Sequence, residues 1–511
     1  MGFIDQFKAA HRVSTPLLSI RTFDAKSTID RIKGIWTNAN KELPPVMYWD
    51  CIKGFTVSAK DEKSKTVLTD AMQKSSSMPE LTASLKETLR VCNFLAEDCI
   101  IFVSNAHMQL DGPDRVEIIQ AIWNLRDYFK AKGCMLLLMT SNGAIMPVEL
   151  ASDVLTLDEP LPTKAELAVI VSDTFKNGKA EKNLTDAITA DATKALIGLP
   201  AFPAEQATAM CLENGKLDMS GLWERKRQAI NATRGLQVLQ TDANLDNIGG
   251  LEQFKTFLEQ VMTGNNPPNV ILLWDEIEKS FAGMGTDTSG TTTKMGGNVL
   301  SWSNDTGMAG IIGVGVPGAG KSEVVKAVAN KYGKLCIAFN LADMESGLVG
   351  SSNEYLRNAQ AVIDSISDKK VLSIATCNSI ESLPPEIKRR FANKGIFFFD
   401  APTEVERASI WDVYRNKYSI PASDPTPNDK GWTGAEIRNC ALNAYELKIT
   451  LRQAANYIVP VTVSDAGKIA TLRNACSGKY LSASHPGVYQ YMGEETETPS
   501  IPETVTGRKM R

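Results

Sequence analysis

The sequence predicts an α/β protein in which parallel sheets are flanked by helices and arranged as two related halves. Three observations carry that prediction. Short apolar runs such as Cys134-Met-Leu-Leu-Leu-Met139 and Val270-Ile-Leu-Leu-Trp274 alternate with helix-like stretches, the pattern of strand–helix–strand units with buried strands. The segment Met135–Ala151 is an apolar strand, a Thr-x-Asn step, a proline and an acidic residue, and Val371–Lys388 repeats that order. Leu157–Ala168 is likewise echoed by Phe398–Ala408; the offsets are 236 residues from Asn142 to Asn378 and 240 from Pro162 to Pro402, which reads as a duplicated module. Thirdly, the second half alone contains Gly315-Val-Pro-Gly-Ala-Gly320-Lys321-Ser322, the spacing of a phosphate-binding loop.

The elements follow in chain order. Residues 1–162 read as a first α/β module, 163–240 as a helical segment and polar linker, and 241–402 as the second α/β module. A helical segment at 403–490 and a disordered tail at 491–511, poor in large apolar groups, complete the chain. In the first module the strand Pro45–Trp49 is followed by Cys51–Lys65 without a glycine-rich loop, and Cys99–His107 carries Ser104-Asn105 where the second half has Asp-Glu. This module is expected to be catalytically inert and to serve oligomerisation or partner binding. His107 reads as a structural strand-end residue.

The length of 511 residues suits three or four domains at ~100–200 residues each. With 55 Lys+Arg against 59 Asp+Glu, the net charge of -4 gives no global basic field, so nucleic-acid contact would need a local patch and stays open. No apolar run approaches the ~20 residues that span a bilayer. The N-terminus has neither an apolar leader core nor a myristoylation pattern, so no membrane partner is expected. Nine scattered cysteines without a CxxC pair, and only three histidines, fit a reducing cytoplasm and argue against a disulfide scaffold or a histidine-rich metal site.

The phosphate loop lies between an apolar strand and a helix-like Ser322–Gly333. Backbone N–H groups of Gly315, Pro317's neighbours, Gly318, Ala319 and Gly320 would wrap the phosphates, with Glu323 following in the helix. Lys321 would reach the β- and γ-phosphates and the Ser322 hydroxyl would ligate Mg²⁺. Asp275 and Glu276, after the strand Asn269–Trp274, would organise the metal and orient the attacking water respectively. They precede the loop, whereas such an acidic strand ordinarily follows it. Chemistry depends on spatial arrangement rather than chain order, so a circular permutation within the nucleotide domain is expected, with Ser280–Thr306 crossing between the two strands. Asn378, at a strand end, would bond the water or the γ-phosphate. Arg389 and Arg390 would supply an arginine finger to a neighbouring subunit or simply complement a helix C-terminus; Lys388 beside them leaves the choice open.

Together these segments resemble the AAA+ ATPases. Leu245-Asp-Asn-Ile-Gly249 is similar to that family's entry segment beside adenine, which implies roles for Asp246, Ile248 and Gly249. Val270–Gly283 resembles Walker B, Val314–Ser322 Walker A, Ile374–Asn378 sensor 1, Leu383–Phe391 the arginine-finger segment, and Trp432–Ala444 the lid helix. Trp274–Gly283, Lys226–Ile230 and Pro460–Ser484 extend the likeness to a plastid and cyanobacterial conserved-reading-frame subgroup with a degenerate N-terminal ATPase-like module. The resemblance implies a P-loop NTPase sheet with a helical lid, ATP and Mg²⁺ as cofactors, and Mg²⁺-dependent hydrolysis. It further implies a ring or helical homo-oligomer, a hexamer foremost, that remodels an unidentified macromolecular client. The alternative is a nucleotide-gated binding or scaffold protein, including a DNA-associated one, with slow or no hydrolysis. The chain departs from the family in its Walker order, in Gly347-Leu-Val-Gly350, which lacks the pore-loop aromatic, and in Ala435 beside Gly434, where Arg438 is a weak substitute for a sensor-2 arginine.

Overall fold

The computed structural model describes residues 2–39, 42–76, 82–240, 243–281, 291–344 and 351–491. The Gly347–Gly350 loop, the first part of the Ser280–Thr306 crossing and all but the first residue of the tail lie outside the described residues. Two compact units emerge, Met1–Ala229 with Asn353–Ser365, and Ile230–Ser352 with Ile366–Arg511. Both are mixed α/β, with largely parallel sheets flanked by helices.

In the first unit the strands are β1 (Leu17–Thr22), β2 (Val46–Asp50), β3 (Gly54–Val57), β4 (Ile100–Val103), β5 (Met135–Ser141) and β6 (Leu155–Asp158). They form one sheet in the order β3-β2-β4-β5-β1-β6, parallel except for the β2–β3 hairpin. Position in the sheet is written in the residues. Central β4, Ile-Ile-Phe-Val, is buried throughout, whereas edge strand β6 buries only Leu157. Four helices follow, Lys164–Asn177, Asp186–Leu196, Ala201–Cys211 and Met219–Asn231, with a small hairpin of β7 (Leu212–Glu213) and β8 (Lys216–Leu217).

The second unit contains β9 (Leu236–Val238), β10 (Val270–Trp274), β11 (Ala309–Gly315), β12 (Leu335–Phe339), β13 (Val371–Cys377), β14 (Ile396–Phe399) and β15 (Leu481–Ser482). Their order is β15-β14-β11-β13-β10-β12-β9, parallel except at β9–β12. The start of the expected polar linker thus forms an edge strand, continued by Leu239 N–H donating to Cys336 O at 2.8 Å. Phe254 packs edge-on against Phe397 and Phe399, at 5.0 and 4.9 Å between ring centres.

Read from the antiparallel edge, the first sheet runs β2-β4-β5-β1-β6 and the second β12-β10-β13-β11-β14. The correspondence extends to detail. β4 and β10 each lead, through a non-glycine residue in left-handed backbone (Asn105 at φ +50°, Glu276 at φ +51°), into a five-residue helix. After β6 and β14, Thr163 and Thr403 cap the next helix through capping boxes with Glu166 and Glu406. Matched in this way, only β10 is out of sequence: its counterpart β4 comes third among the five matched strands, and β10 comes first. A circular permutation would retain cyclic order, which the displacement of one strand does not. Two assignments change with this match. Pro45–Trp49 corresponds to β12, and the strand standing where the phosphate-loop strand stands is β1.

Candidate nucleotide-binding site

β11 and β10 are separated in the sheet only by β13, so the loop after β11, the Asp-Glu after β10 and the Asn after β13 end side by side. The loop's shape depends on glycine. A Cβ on Gly315 would lie 2.0 Å from the Phe399 carbonyl oxygen, and Gly320 enters the helix Lys321–Lys331 at φ +84°. Lys321 is 9 % exposed, and its ammonium donates to Gly315 O at 2.9 Å, Val316 O at 3.0 Å and Asn378 Oδ1 at 2.9 Å. Burial pulls its pKa down to about 8.

The Ser322 hydroxyl donates to Asp275 Oδ1 at 2.6 Å. Thr376 Oγ1 donates to that same oxygen at 2.6 Å and accepts the Glu276 N–H at 2.9 Å. Asn378 donates through Nδ2 to Glu276 Oε1 at 3.1 Å, while its backbone N–H is held by Glu278 Oε1 at 2.9 Å. Lys321, Asn378 and Glu276 thus form one hydrogen-bonded chain, and Asn378 presents its oxygen to the cation and its amide N–H to the carboxylate.

A cavity of about 960 Å³ opens over these groups. Pro317, Gly318, Ala319, Gly320, Lys321, Ser322, Glu323, Asp275, Glu276, Asn378, Ile248 and Gly249 all line it. Of the remaining expected residues, Gly315 acts through its carbonyl behind the wall, and Asp246 is exposed and outside the lining, where the neighbouring Asn244 and Asn247 stand instead. Arg389 and Arg390, on the helix Pro385–Phe391, do not line it either. Sequence reasoning missed Thr376, although the Thr-x-Asn echo contained it. It also missed Ile410, Val413, Tyr414 and Lys417, one face of the helix Glu404–Tyr418 that lines the cavity. The helix Gly434–Leu447, expected as a lid helix, contributes Ala435, whose N–H donates to Gly318 O at 3.2 Å, and Arg438.

In the first unit the equivalent positions are differently filled. β1 passes through only Phe23 and Asp24 into the helix Ala25–Asn38, and Asp24 caps that helix by accepting Ser27 N–H at 3.1 Å. Beside it Glu159 is buried and accepts from Thr22 Oγ1 at 2.8 Å, Arg31 Nη1 at 2.7 Å and the Thr28 hydroxyl. Burial holds this carboxyl above its usual range. The space enclosed there is about 20 Å³. A broader groove of about 1620 Å³ lies alongside, lined in part by Phe7, Trp36, Ile170 and Phe202, and brings no glycine-rich loop to it.

Among the described residues no group of three or more His, Cys, Asp or Glu is arranged to hold a metal on its own, and no helix is long and apolar enough to cross a membrane. Eight of the nine cysteines are buried and none is in a disulfide.

Residues 3–159 match the family model of the SpoVK-like AAA ATPase N-terminal domain. Across most of its length the chain is similar to AAA domain-containing proteins designated ycf46. One from Gracilaria tenuistipitata var. liui is 22% identical over 469 residues, 79% of this chain and 88% of the relative. Another, from Pyropia yezoensis, is 23% identical over 425 residues, 70% and 78% of the two chains. A third, from Guillardia theta, is 21% identical over 460 residues, 82% and 80%.

Proposed function

We propose that the second unit binds ATP with Mg²⁺ and hydrolyses it within a homo-oligomer, a ring or helix with six subunits as the leading arrangement, and that turnover remodels a macromolecular partner. The observation that carries this reading is the convergence of Lys321, Ser322, Asp275, Glu276 and Asn378 on one cavity. The residues fit the cofactors: the cavity lies within the range of about 300–1,000 Å³ usual for small-molecule sites, and the Ser322 and Asp275 oxygens, 2.6 Å apart, are hard donors of the kind Mg²⁺ takes. Bound Mg²⁺ would neutralise charge on the phosphates. Lys321 exchanges its carbonyl partners for phosphate oxygens, the loop N–H groups orient the chain of phosphates, and Glu276 accepts a proton from water. Asn378 holds the water or the terminal phosphate, and Arg389 or Arg390 completes a neighbour's site.

The AAA-domain relatives support an ATPase; the site residues, the oligomer and the client are our reading. We also propose that β10, with its short helix, was moved ahead of β11 as one segment, because the sheet position and local turn of β4 are retained. The test is single-turnover hydrolysis by Glu276→Gln protein, expected to retain ATP and lose at least ~100-fold in rate. A rate equal to the parent's would remove Glu276 from the mechanism. Mixing a Lys321-defective chain with an Arg389→Ala or Arg390→Ala chain should restore activity if the arginine acts across subunits; no rescue at any ratio would reject a shared site.

A further inference from the structure

Glu276 has both carboxylate oxygens engaged. Oε1 accepts from Asn378 Nδ2 at 3.1 Å, and Oε2 pairs with the Lys279 ammonium three residues further along the short helix Ile277–Phe281. A carboxylate held in this way has one lone pair of each oxygen directed at a partner and is turned toward an amide and a cation, so a water proton meets a less basic and less freely oriented acceptor. The two partners differ in how easily they leave. Asn378 is fixed by Lys321 on its side-chain oxygen and by Glu278 on its backbone N–H. Lys279 has a side chain 73% exposed and Glu276 as its acceptor.

Of the other charged groups nearby, Asp275 and Glu278 carry the same sign as Glu276, and Lys321, which acts on all three, is occupied by Gly315, Val316 and Asn378. Lys279 is therefore the releasable member of the arrangement.

We infer that Lys279 is a positioning residue that holds Glu276 away from the attacking water, so that breaking the Lys279–Glu276 pair raises the basal rate of hydrolysis. The inference rests on the reading of Glu276 as the group that activates water. An exposed pair of this kind corresponds to roughly a two- to five-fold effect. The experiment measures kcat and KM for ATP with purified full-length parent, Lys279→Met, Lys279→Arg and Glu276→Gln proteins. Lys279→Met should raise kcat about two- to five-fold with KM unchanged, and Lys279→Arg, which keeps the pair, should match the parent. Added salt screens exposed pairs, so it should raise kcat of the parent and leave Lys279→Met unmoved; a merely structural lysine would not produce that difference. A Lys279→Met kcat at or below the parent's overturns the inference. The two failures separate through the control: inactive Glu276→Gln with unchanged Lys279→Met rejects the restraint alone, whereas active Glu276→Gln rejects the catalytic reading beneath it.

Discussion

The two units place the same five strands in the same spatial succession, yet the cavity of about 960 Å³ over the strand ends of one is lined by a glycine loop and an acidic pair, whereas the pocket of about 20 Å³ and the groove of about 1620 Å³ at the matching turn of the other are lined by neither. The difference lies in a handful of residues. Where the second unit has a glycine loop, with Gly318 at φ +80° and Gly320 at φ +84°, the first has Asp24, a carboxylate that caps its own helix. Where the second keeps a buried cation without a fixed counter-charge, the first buries Glu159 against Arg31 and two threonines. The first unit thus carries carboxylates where the second carries a glycine loop and a lysine. The strand-end threonines show the same divergence. Thr376 bridges Asp275 and the Glu276 backbone, whereas Thr140, with Ser104 in place of an aspartate nearby, turns to Ile20 O at 3.3 Å and Ser19 Oγ at 3.5 Å.

The largest effect expected from this contrast follows Lys321→Ala. Losing a buried ammonium's bonds to phosphate, at about 1.5–3 kcal/mol each, should weaken ATP binding by at least ~100-fold in a titration of the intact chain. Asp24→Ala should leave that affinity unchanged; an equal loss from both would mean that the first unit also takes nucleotide. Next comes pH. Burial brings the pKa of Lys321 down to about 8, so above that value the protein must take up a proton to present an ammonium. ATP affinity should therefore fall ~10-fold between pH 7 and pH 9, a decline that Lys321→Met abolishes. The stability sign is opposite: a lysine whose pKa is lowered on folding costs stability below about 8, and the cost is relieved as pH rises toward its ordinary 10.5.

A smaller change is expected from Thr376→Val, which removes two hydrogen bonds from the acidic pair. At about 1 kcal/mol each, kcat should drop roughly five- to thirty-fold while the protein stays folded. The same change at Thr140 should leave kcat unaltered. The smallest effect is expected from restoring the acidic pair in the first unit, by Ser104→Asp with Asn105→Glu. With Asp24 and Glu159 still in place, calorimetry should count one ATP per chain, as in the parent. Two per chain would show that only the acidic pair had silenced that unit.

Much of this was legible in the residues. Apolar runs located the central strands because a strand buried on both faces needs no alternation, and the phosphate loop declared itself because its glycines serve backbone geometry that few other residues permit. The duplication was visible where both copies keep a strand-to-helix turn. What escaped had physical reasons. β1 was missed because Leu17–Thr22 mixes serine, arginine and threonine with leucine and isoleucine. Edge strands β9 and β15, of three and two residues, carry too few residues for any period to show. The wall formed by Ile410, Val413, Tyr414 and Lys417 reads as an ordinary amphipathic helix until the fold brings it to the same cavity as the loop. Motif order alone suggested a circular permutation; only the strand order of the first unit reveals that a single strand is displaced.

That displacement has a consequence for how the chain is made. In the first unit β4 follows its neighbour β2 out of the ribosome and can pair at once. In the second, β10 is flanked by β12 and β13, which begin about 60 and about 100 residues after it ends. At about 5–20 residues per second, five successive apolar residues wait several seconds for a partner strand. Asp275 and Glu276 are therefore synthesised next to an apolar strand that waits unpaired, a condition that favours aggregation, and nascent-chain protection should concentrate there.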